Sequence, residues 1–387
     1  MVSMKHMKFI ITLVFTLTVF YTFNNKLGSL PPLGKFLSPS QGVWKNELTE
    51  SHKNHVISLK DLSDKVIIKY DTNLIPHIFA NNDLDLYRAQ GYITAQHRLW
   101  QMEFQTHAAA GRLSEIIGEL ALNYDRSERR RGMVYGAEQQ LKSWENDTVN
   151  LAFIDAYTDG INQYIHGLNI ENYPVEYKLL DYAPEKWSRK KTALLLMYMT
   201  KMLAGGDSDL EYTNFLKKYG KERFDLLYPD FFDINDPVIP KETDWNDLVN
   251  IQQNSIPNSQ TVLEYTKETI SKPHPDNGSN NWAISPTKSY SGNAILANDP
   301  HLGLNLPSIW FAIQLTSPNQ NTFGVSLPGS PGVVIGFNEK IAWGMTNATR
   351  DVIDWYKIKF EDSTKSKYLY DKNFKTVAKR IEKIKIR

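Results

Sequence analysis

A serine whose neighbours suit it for chemistry lies in "DNGSNNWAIS", residues 276–285, where Ser279 follows Asn277 and Gly278. A serine hydroxyl is a poor nucleophile until a base takes its proton, and the usual base is a histidine held by a carboxylate. Nine histidines are available, but no G-x-S-x-G turn surrounds any serine. The nearest approach, "LPGSPG" around Ser330, has the wrong spacing and a proline after the serine. The chain has no cysteine, which excludes a thiol nucleophile, thiolate metal sites and disulfides. A different solution is a serine freed at a chain terminus, whose own α-amino group then serves as the base. Here that requires cleavage between Gly278 and Ser279. The glycine would let the hydroxyl approach the carbonyl to be cut. The same residues also read as an Asn-Gly turn leading into the strand "NWAIS". From these residues alone both readings stand.

The surroundings of Ser279 are those of a junction. From about residue 240 to 278 the chain is polar and broken, as in "NIQQNSIPNSQ" and "SKPHPDNG", which is linker chemistry. After it, short apolar runs follow one another: "NWAIS", "NAILAN", "SIWFAIQLT", "TFGVSL", "GVVIGF", "IAWGMT" and "IDWYKIKF", separated by short turns. Such a succession predicts an antiparallel sheet. The closing "KRIEKIKIR" alternates like a strand opening a new hairpin.

Before the junction the pattern is helical. "KVIIKYD" and "PHIFA" predict a pair of strands. Residues 83–110 then carry Leu84, Tyr87, Tyr92, Ala95, Leu99 and Met102 at helical spacing, with Asp83 as N-cap and Gly111 as stop. Further helices are expected over residues 148–168 and 188–204. At the start, Lys5 and Lys8 precede an uncharged apolar run, residues 9–23, short for a membrane span and suited to a signal peptide. No clear cleavage site follows, so an uncleaved anchor with its basic end in the cytoplasm fits as well. Either predicts export: a periplasmic protein, or one anchored in the membrane facing the periplasm. The expected domains are a signal peptide or anchor at 1–26, a mainly helical region at 27–244, a spacer at 245–278 and a β region at 279–387. With 44 basic and 43 acidic residues, no basic patch suggests a nucleic-acid partner.

Several blocks of the sequence resemble the penicillin acylase family of N-terminal-nucleophile hydrolases. "GSNNWAIS", "ILANDPHLGLNLPSIWFAIQL" and "LPGSPGVVIGFNEKIAWGMTNATRDVIDWYKIKF" are similar to the start of its β chain. "IPHIFANNDLDLYRAQGYITAQHRLWQMEF", "GRLSEIIG" and "YAPEKWSRKKTALLLMYM" are similar to its α chain. The resemblance runs from about Val66 onwards. It implies an α+β fold, the αββα four-layer sandwich, with a helical α-chain region. It also implies autocatalytic cleavage between Gly278 and Ser279, and Ser279 as nucleophile and, once freed, as α-amino base. The backbone N–H of Asn347 would be an oxyanion donor, with His301 close to the nucleophile. The partners implied are the α and β chains of one precursor and a small N-acyl amide substrate.

The resemblance further implies a structural Ca2+ site made by Asp351, Asp354, the carbonyl of Ile353 and Glu211, hard oxygen donors of the kind calcium takes. Without it, two acids in a turn are more often simply solvated. Leu302, Ile335 and Met345 fall on acyl-pocket positions, with Met202 and Leu203 near a segment covering the pocket; core packing explains each as well. Two departures are visible. His97 stands where the family usually has aspartate, and "QTHAAAG" replaces a pair of arginines before "GRL".

The family's β chain continues well past residue 387 and carries a second oxyanion donor, an asparagine side chain, with no counterpart here. The expectation is therefore a chain truncated in its β region. The function expected is a self-processing amidohydrolase acting on N-acyl compounds such as β-lactam side chains or acyl-homoserine lactones through an acyl-serine intermediate. A catalytically inactive remnant or binding protein of the same family is the alternative. A conventional serine hydrolase is disfavoured by the missing nucleophile turn.

Overall fold

The computed structural model describes residues 4–28, 31–46, 56–204, 209–229, 278–347 and 355–387. They belong to two units. The first holds the described residues through Met202, those of 276–348 and those of 380–387; the second holds the rest.

In the first unit the strands are β1 (Ile67–Tyr70), β2 (Pro76–Phe79), β3 (Gly278–Ile284), β4 (Ile295–His301), β5 (Phe311–Ser317), β6 (Gln320–Ser326), β7 (Ile335–Phe337) and β8 (Ala342–Trp343). Six of them form one sheet in the order β1-β2-β5-β6-β7-β8, while among the described residues β3 and β4 pair only with each other. The sheet is mixed rather than purely antiparallel. The expected hairpin β1–β2 forms, but β2 then lies parallel to β5, with Ile78 opposite Leu315. The strands on either side of the junction thus share one sheet. The reason is burial. Ile78 on β2 and Phe311, Ile313 and Leu315 on β5 alternate onto one face and bury together. Each such side chain contributes about 1.5–3 kcal/mol when taken out of water.

What covers that face is the helix Asp83–Ala110, through Leu86, Ala89 and Ile93. It starts one residue earlier than its acidic run suggests. Asn82 is the N-cap, its side chain accepting from Asp85 N at 2.8 Å, and Asp83 instead receives Ser317 Oγ at 2.5 Å. Gly111 ends it in the left-handed region at φ 61°, as expected. Across its other side runs the helix Thr148–Gly167, with Leu99, Met102, Tyr157, Ile161, Tyr177 and Trp187 buried in the same core.

The two helices cross in backbone contact at Gly91 and Gly160. A Cβ on Gly160 would meet the Arg88 carbonyl, and one on Gly91 the Tyr157 carbonyl. Gly160→Ala is therefore expected to lower stability by about 3 kcal/mol, since rigid backbone cannot move aside as a side chain can. Gly167→Ala, which meets nothing within 4 Å, is expected to be neutral or slightly stabilising. Urea midpoints of the two variants check this.

The end of the chain departs from expectation. Residues 377–387 form no strand. Residues 380–387 attach to the helical part by charge: Arg380 and Lys190 both reach Glu138 at 2.9 Å, and Arg129 reaches Glu382 at 2.5 Å. Hydrogen bonds from Arg380 and Lys190 depress the Glu138 carboxyl from 4.5 to about 2. Its stabilisation is complete above about pH 4.5 and is lost as pH falls towards 2. The carboxylate is one-third exposed, so screening limits this to about 1 kcal/mol. Glu138→Gln should be less stable than the unmutated chain by that amount at pH 7, with the difference closing between pH 4.5 and pH 2 in denaturant titrations.

The helix Met4–Asn24 extends beyond the apolar run, to 21 residues, with none buried. It is long and apolar enough to cross a membrane by length and composition, at a mean hydropathy of 1.5, and a signal sequence has the same profile. In the second unit, the helices Asp209–Tyr219 and Lys221–Leu227 pack Tyr212, Phe215, Phe224 and Tyr228 ring to ring. Two further strands there, β9 (Lys367–Tyr370) and β10 (Asn373–Thr376), form a hairpin through Asp371 and Lys372, both at positive φ. Where "IDWYKIKF" suggests a strand, the described residues hold only an isolated bridge from Phe360 to Tyr368.

Candidate active site

Ser279 is the second residue of β3. Gly278 is already in the ladder, opposite His301, and Ser279 stands opposite Pro300, Asn280 opposite Asp299 and Asn281 opposite Asn298. The Ser279 hydroxyl donates to the carbonyl oxygen of Gly278 at 2.5 Å. The expected nucleophile is thereby held against the carbonyl of the peptide bond that precedes it.

Side chains alternate across a strand, so Ser279 and Asn281 share one face of the hairpin with Pro300 and Asn298. Against that face lies the stretch following β8. Asn298 Oδ1 accepts from Met345 N at 3.0 Å, and Asn298 Nδ2 donates to Met345 O at 3.0 Å and to Asn280 O at 3.3 Å. Gly344 fits there because it lacks a side chain. A Cβ on it would lie 2.8 Å from Asn298 Cβ and 3.0 Å from Asn281 Nδ2. The expected oxyanion residue, Asn347, follows three positions after Gly344 and is half-buried. His301 belongs to the opposite face. Its Nε2 is 2.7 Å from Asp299 Oδ2, and its Nδ1 is 3.8 Å from where a Cβ of Gly278 would stand. The hairpin therefore joins Ser279 to the Met345 segment on one face and His301 to Asp299 on the other.

The family described as penicillin amidase matches residues 65–387. The chain belongs to the penicillin amidase family. Among curated relatives, an acyl-homoserine lactone acylase of Pseudomonas aeruginosa is 32% identical over 77% of this chain and 35% of its own length. A penicillin acylase 2 proenzyme of Pseudomonas sp. strain SE83 is 29% identical over 86% of this chain and 42% of its own. The penicillin G acylase of Escherichia coli is 22% identical over 84% of this chain and 44% of its own. The chain thus spans less than half the length of these relatives. A solved structure of the thermostable penicillin G acylase of Alcaligenes faecalis aligns at 23% identity with a TM-score of 0.38, covering 46% of this chain and 97% of that one.

The other residues expected at a penicillin amidase site are spread more widely. Leu302 directly follows β4 and is half-buried, and Ile335 sits on β7 opposite Val325. Met345 is 54% exposed, and Met202 lies half-buried near the end of the helix Arg189–Ala204. Leu203 belongs to the second unit, as does Glu211, in the first turn of its helix. Asp351, Ile353 and Asp354 lie outside the described residues. Of the calcium donors expected from the resemblance, the structure therefore describes only the Glu211 carboxylate.

Two family departures acquire a structural setting. His97 Nε2 pairs with the Tyr70 hydroxyl at 3.1 Å. His107, in "QTHAAAG", is buried between Glu103 and Glu185. These three could be mistaken for a metal site, because their ligand atoms lie within 4.8 Å of one another. The charges say otherwise. Glu185 already receives Arg112 at 2.6 Å and Lys191 at 3.2 Å, with His107 Nε2 at 3.7 Å. A metal cation would face the basic side chains of Arg112 and Lys191 on the same carboxylate. His107, then Arg112 and Lys191, hold the Glu185 carboxyl well below the usual carboxylate range. Burial pushes the Glu103 carboxyl up against the opposing pull of Lys191 and Tyr177. The Glu103–His107 pair was visible at helical i, i+4 spacing; Glu185, far along the chain, carried no such signal.

Proposed function

We propose that this chain is the self-processing part of an N-acyl amide hydrolase, in which Ser279 acts twice. The observation that carries the reading is the Ser279 hydroxyl at 2.5 Å from the Gly278 carbonyl oxygen, at the head of a strand, in a penicillin amidase sequence. In processing, Ser279 Oγ adds to the Gly278 carbonyl carbon and the C–N bond breaks, leaving an ester to Oγ and a free α-amino group. Water hydrolyses the ester to a Gly278 carboxylate and restores the hydroxyl.

In the acylase reaction the α-amino group takes the hydroxyl proton as Oγ attacks the substrate amide. The proton passes to the departing amine, and water then releases the acid from the acyl-serine. The backbone N–H of Asn347 stabilises the oxyanion of each addition. His301, held by Asp299, lies beside Gly278, where a proton carrier could serve the processing step. Leu302, Ile335, Met345 and Met202 suit an apolar acyl group. Relatives named for acyl-homoserine lactones and for penicillins make both amide classes candidates.

In this reading the α and β chains stay together after cleavage in an αββα body. A structural Ca2+ would be held by Glu211, Asp351, the Ile353 carbonyl and Asp354, where it would supply cross-linking and no chemistry. The apolar helix Met4–Asn24 directs export to the periplasm, as signal or anchor. The exposed flank of β3, with Trp282 53% exposed, favours a second reading, in which the chain is non-catalytic by itself. Intact mass separates the two. A fragment beginning at Ser279, with amine release from N-acyl-homoserine lactone or phenylacetyl amide, supports the enzyme. An uncut chain with no amine release supports the second reading.

A further inference from the structure

We infer that Asn298 is the positioning residue that locks the Gly344–Asn347 stretch to the nucleophile's hairpin, an inference that rests on the processing role of Ser279. Asn298 uses its whole carboxamide for this. Its Oδ1 accepts from Met345 N and its Nδ2 donates to Met345 O, both at 3.0 Å, so one side chain satisfies both main-chain groups of a single residue. The second Nδ2 contact, to Asn280 O at 3.3 Å, ties the same amide to β3 one residue after Ser279. From the other side, Gly344 leaves no room for a Cβ against Asn298 and Asn281. The stretch can therefore sit in only one position along the hairpin, two register positions from Ser279.

Placement matters here because an oxyanion donor works only when fixed at the site of developing charge before reaction. β8 and the residues after it link the six-stranded sheet to the separate β3–β4 hairpin. Trp343 Nε1 bonds Val334 O at 3.0 Å on the sheet side, and Asn298 makes the corresponding anchor on the hairpin side. Losing the amide would leave the Met345 backbone groups to water and the Asn347 N–H at a variable distance from Ser279. Neither a thiol nor a charged group is involved, so conservation of shape and of both hydrogen-bonding polarities is what the position demands.

The test uses the full chain with Asn298→Ala, Gly344→Ala and the double variant, compared by urea midpoint, hydrogen exchange and the rate of cutting between Gly278 and Ser279. Exchange of the amides at 344–347 is expected to rise at least tenfold in each single variant, with exchange in the helix Asp83–Ala110 unchanged. Cutting is expected to slow by about 100-fold, as when an oxyanion donor is displaced. The double variant should be no slower than the worse single one, because both changes release the same element. Unchanged exchange at 344–347 in Asn298→Ala overturns the inference whether or not the chain cuts. So does cutting that falls only in proportion to stability. An unmutated chain that never cuts instead removes the processing role of Ser279, while exchange still decides the role of Asn298.

Discussion

Alanine at position 279 is expected to leave the chain in one piece and to abolish amine release from any N-acyl amide. The same oxygen serves as attacking atom in both reactions of the proposed scheme, and its loss also removes the hydroxyl that lies at 2.5 Å from the Gly278 carbonyl. Removing a covalent nucleophile lowers turnover by more than about a thousandfold where other groups still bind and polarise substrate. For the chain-cutting step the expected loss is total, since no other group on the hairpin's Ser279 face, Asn281, Asn298 or Pro300, can attack a carbonyl. Ser279→Cys separates chemistry from structure. Its thiol can make the same addition, so fragments should still accumulate, more slowly than in the unmutated chain. The measurement is intact mass against time for the three chains, with a serine variant elsewhere, Ser330→Ala, as control. Cutting in Ser279→Ala, or equal cutting lost in Ser330→Ala, would remove Ser279 from the mechanism.

The legibility of this molecule divides along sequence distance. The helix over residues 83–110 is written in its own spacing, and its stop at Gly111 is a local signal that the structure keeps. Only its cap moved, to Asn82, because the asparagine side chain reaches the Asp85 N–H while Asp83 is engaged by Ser317 on β6's neighbour β5. The parallel pairing of β2 with β5 joins residues more than two hundred positions apart. Nothing in either strand announces its partner; shared burial under one helix selects it. The same holds at the candidate site. Ser279 and Gly278 are recognisable as a short stretch, but Asn298 is an ordinary polar residue until the ladder sets it opposite Asn281 and beneath Gly344. The two-sided arrangement of the hairpin follows from strand alternation and register together, and register is a property of two segments, not of one.

The largest stability effect is expected at Glu103, which is fully buried where the helix Asp83–Ala110 meets the segment leading to Trp187. Its carboxylate accepts from the Tyr177 hydroxyl at 2.6 Å and from Glu185 N at 3.2 Å. Lys191 opposes the upward push of burial on its carboxyl. Glu103→Ala removes the acceptor of two buried donors, leaves Lys191 with Glu185 alone and opens a cavity. Breaking a buried charge network from one side costs about 3–5 kcal/mol, and the effect here should be near 4. Glu103→Gln keeps the shape and one acceptor, so its deficit should be about 1–2 kcal/mol at neutral pH. The pH dependence distinguishes charge from shape. Because the folded-state carboxyl is raised above its value near 4.5, the folded chain holds that proton more tightly than the unfolded chain. The carboxyl's contribution is complete below about pH 4.5 and declines as pH rises through the folded value. Glutamine does not titrate, so the deficit of Glu103→Gln should be larger at pH 4.5 than at pH 7.5. Urea midpoints of both variants at those two pH values test this. A deficit that instead widens with pH would mean that Lys191 and Tyr177 outweigh burial and that the ionised form is the one the fold selects.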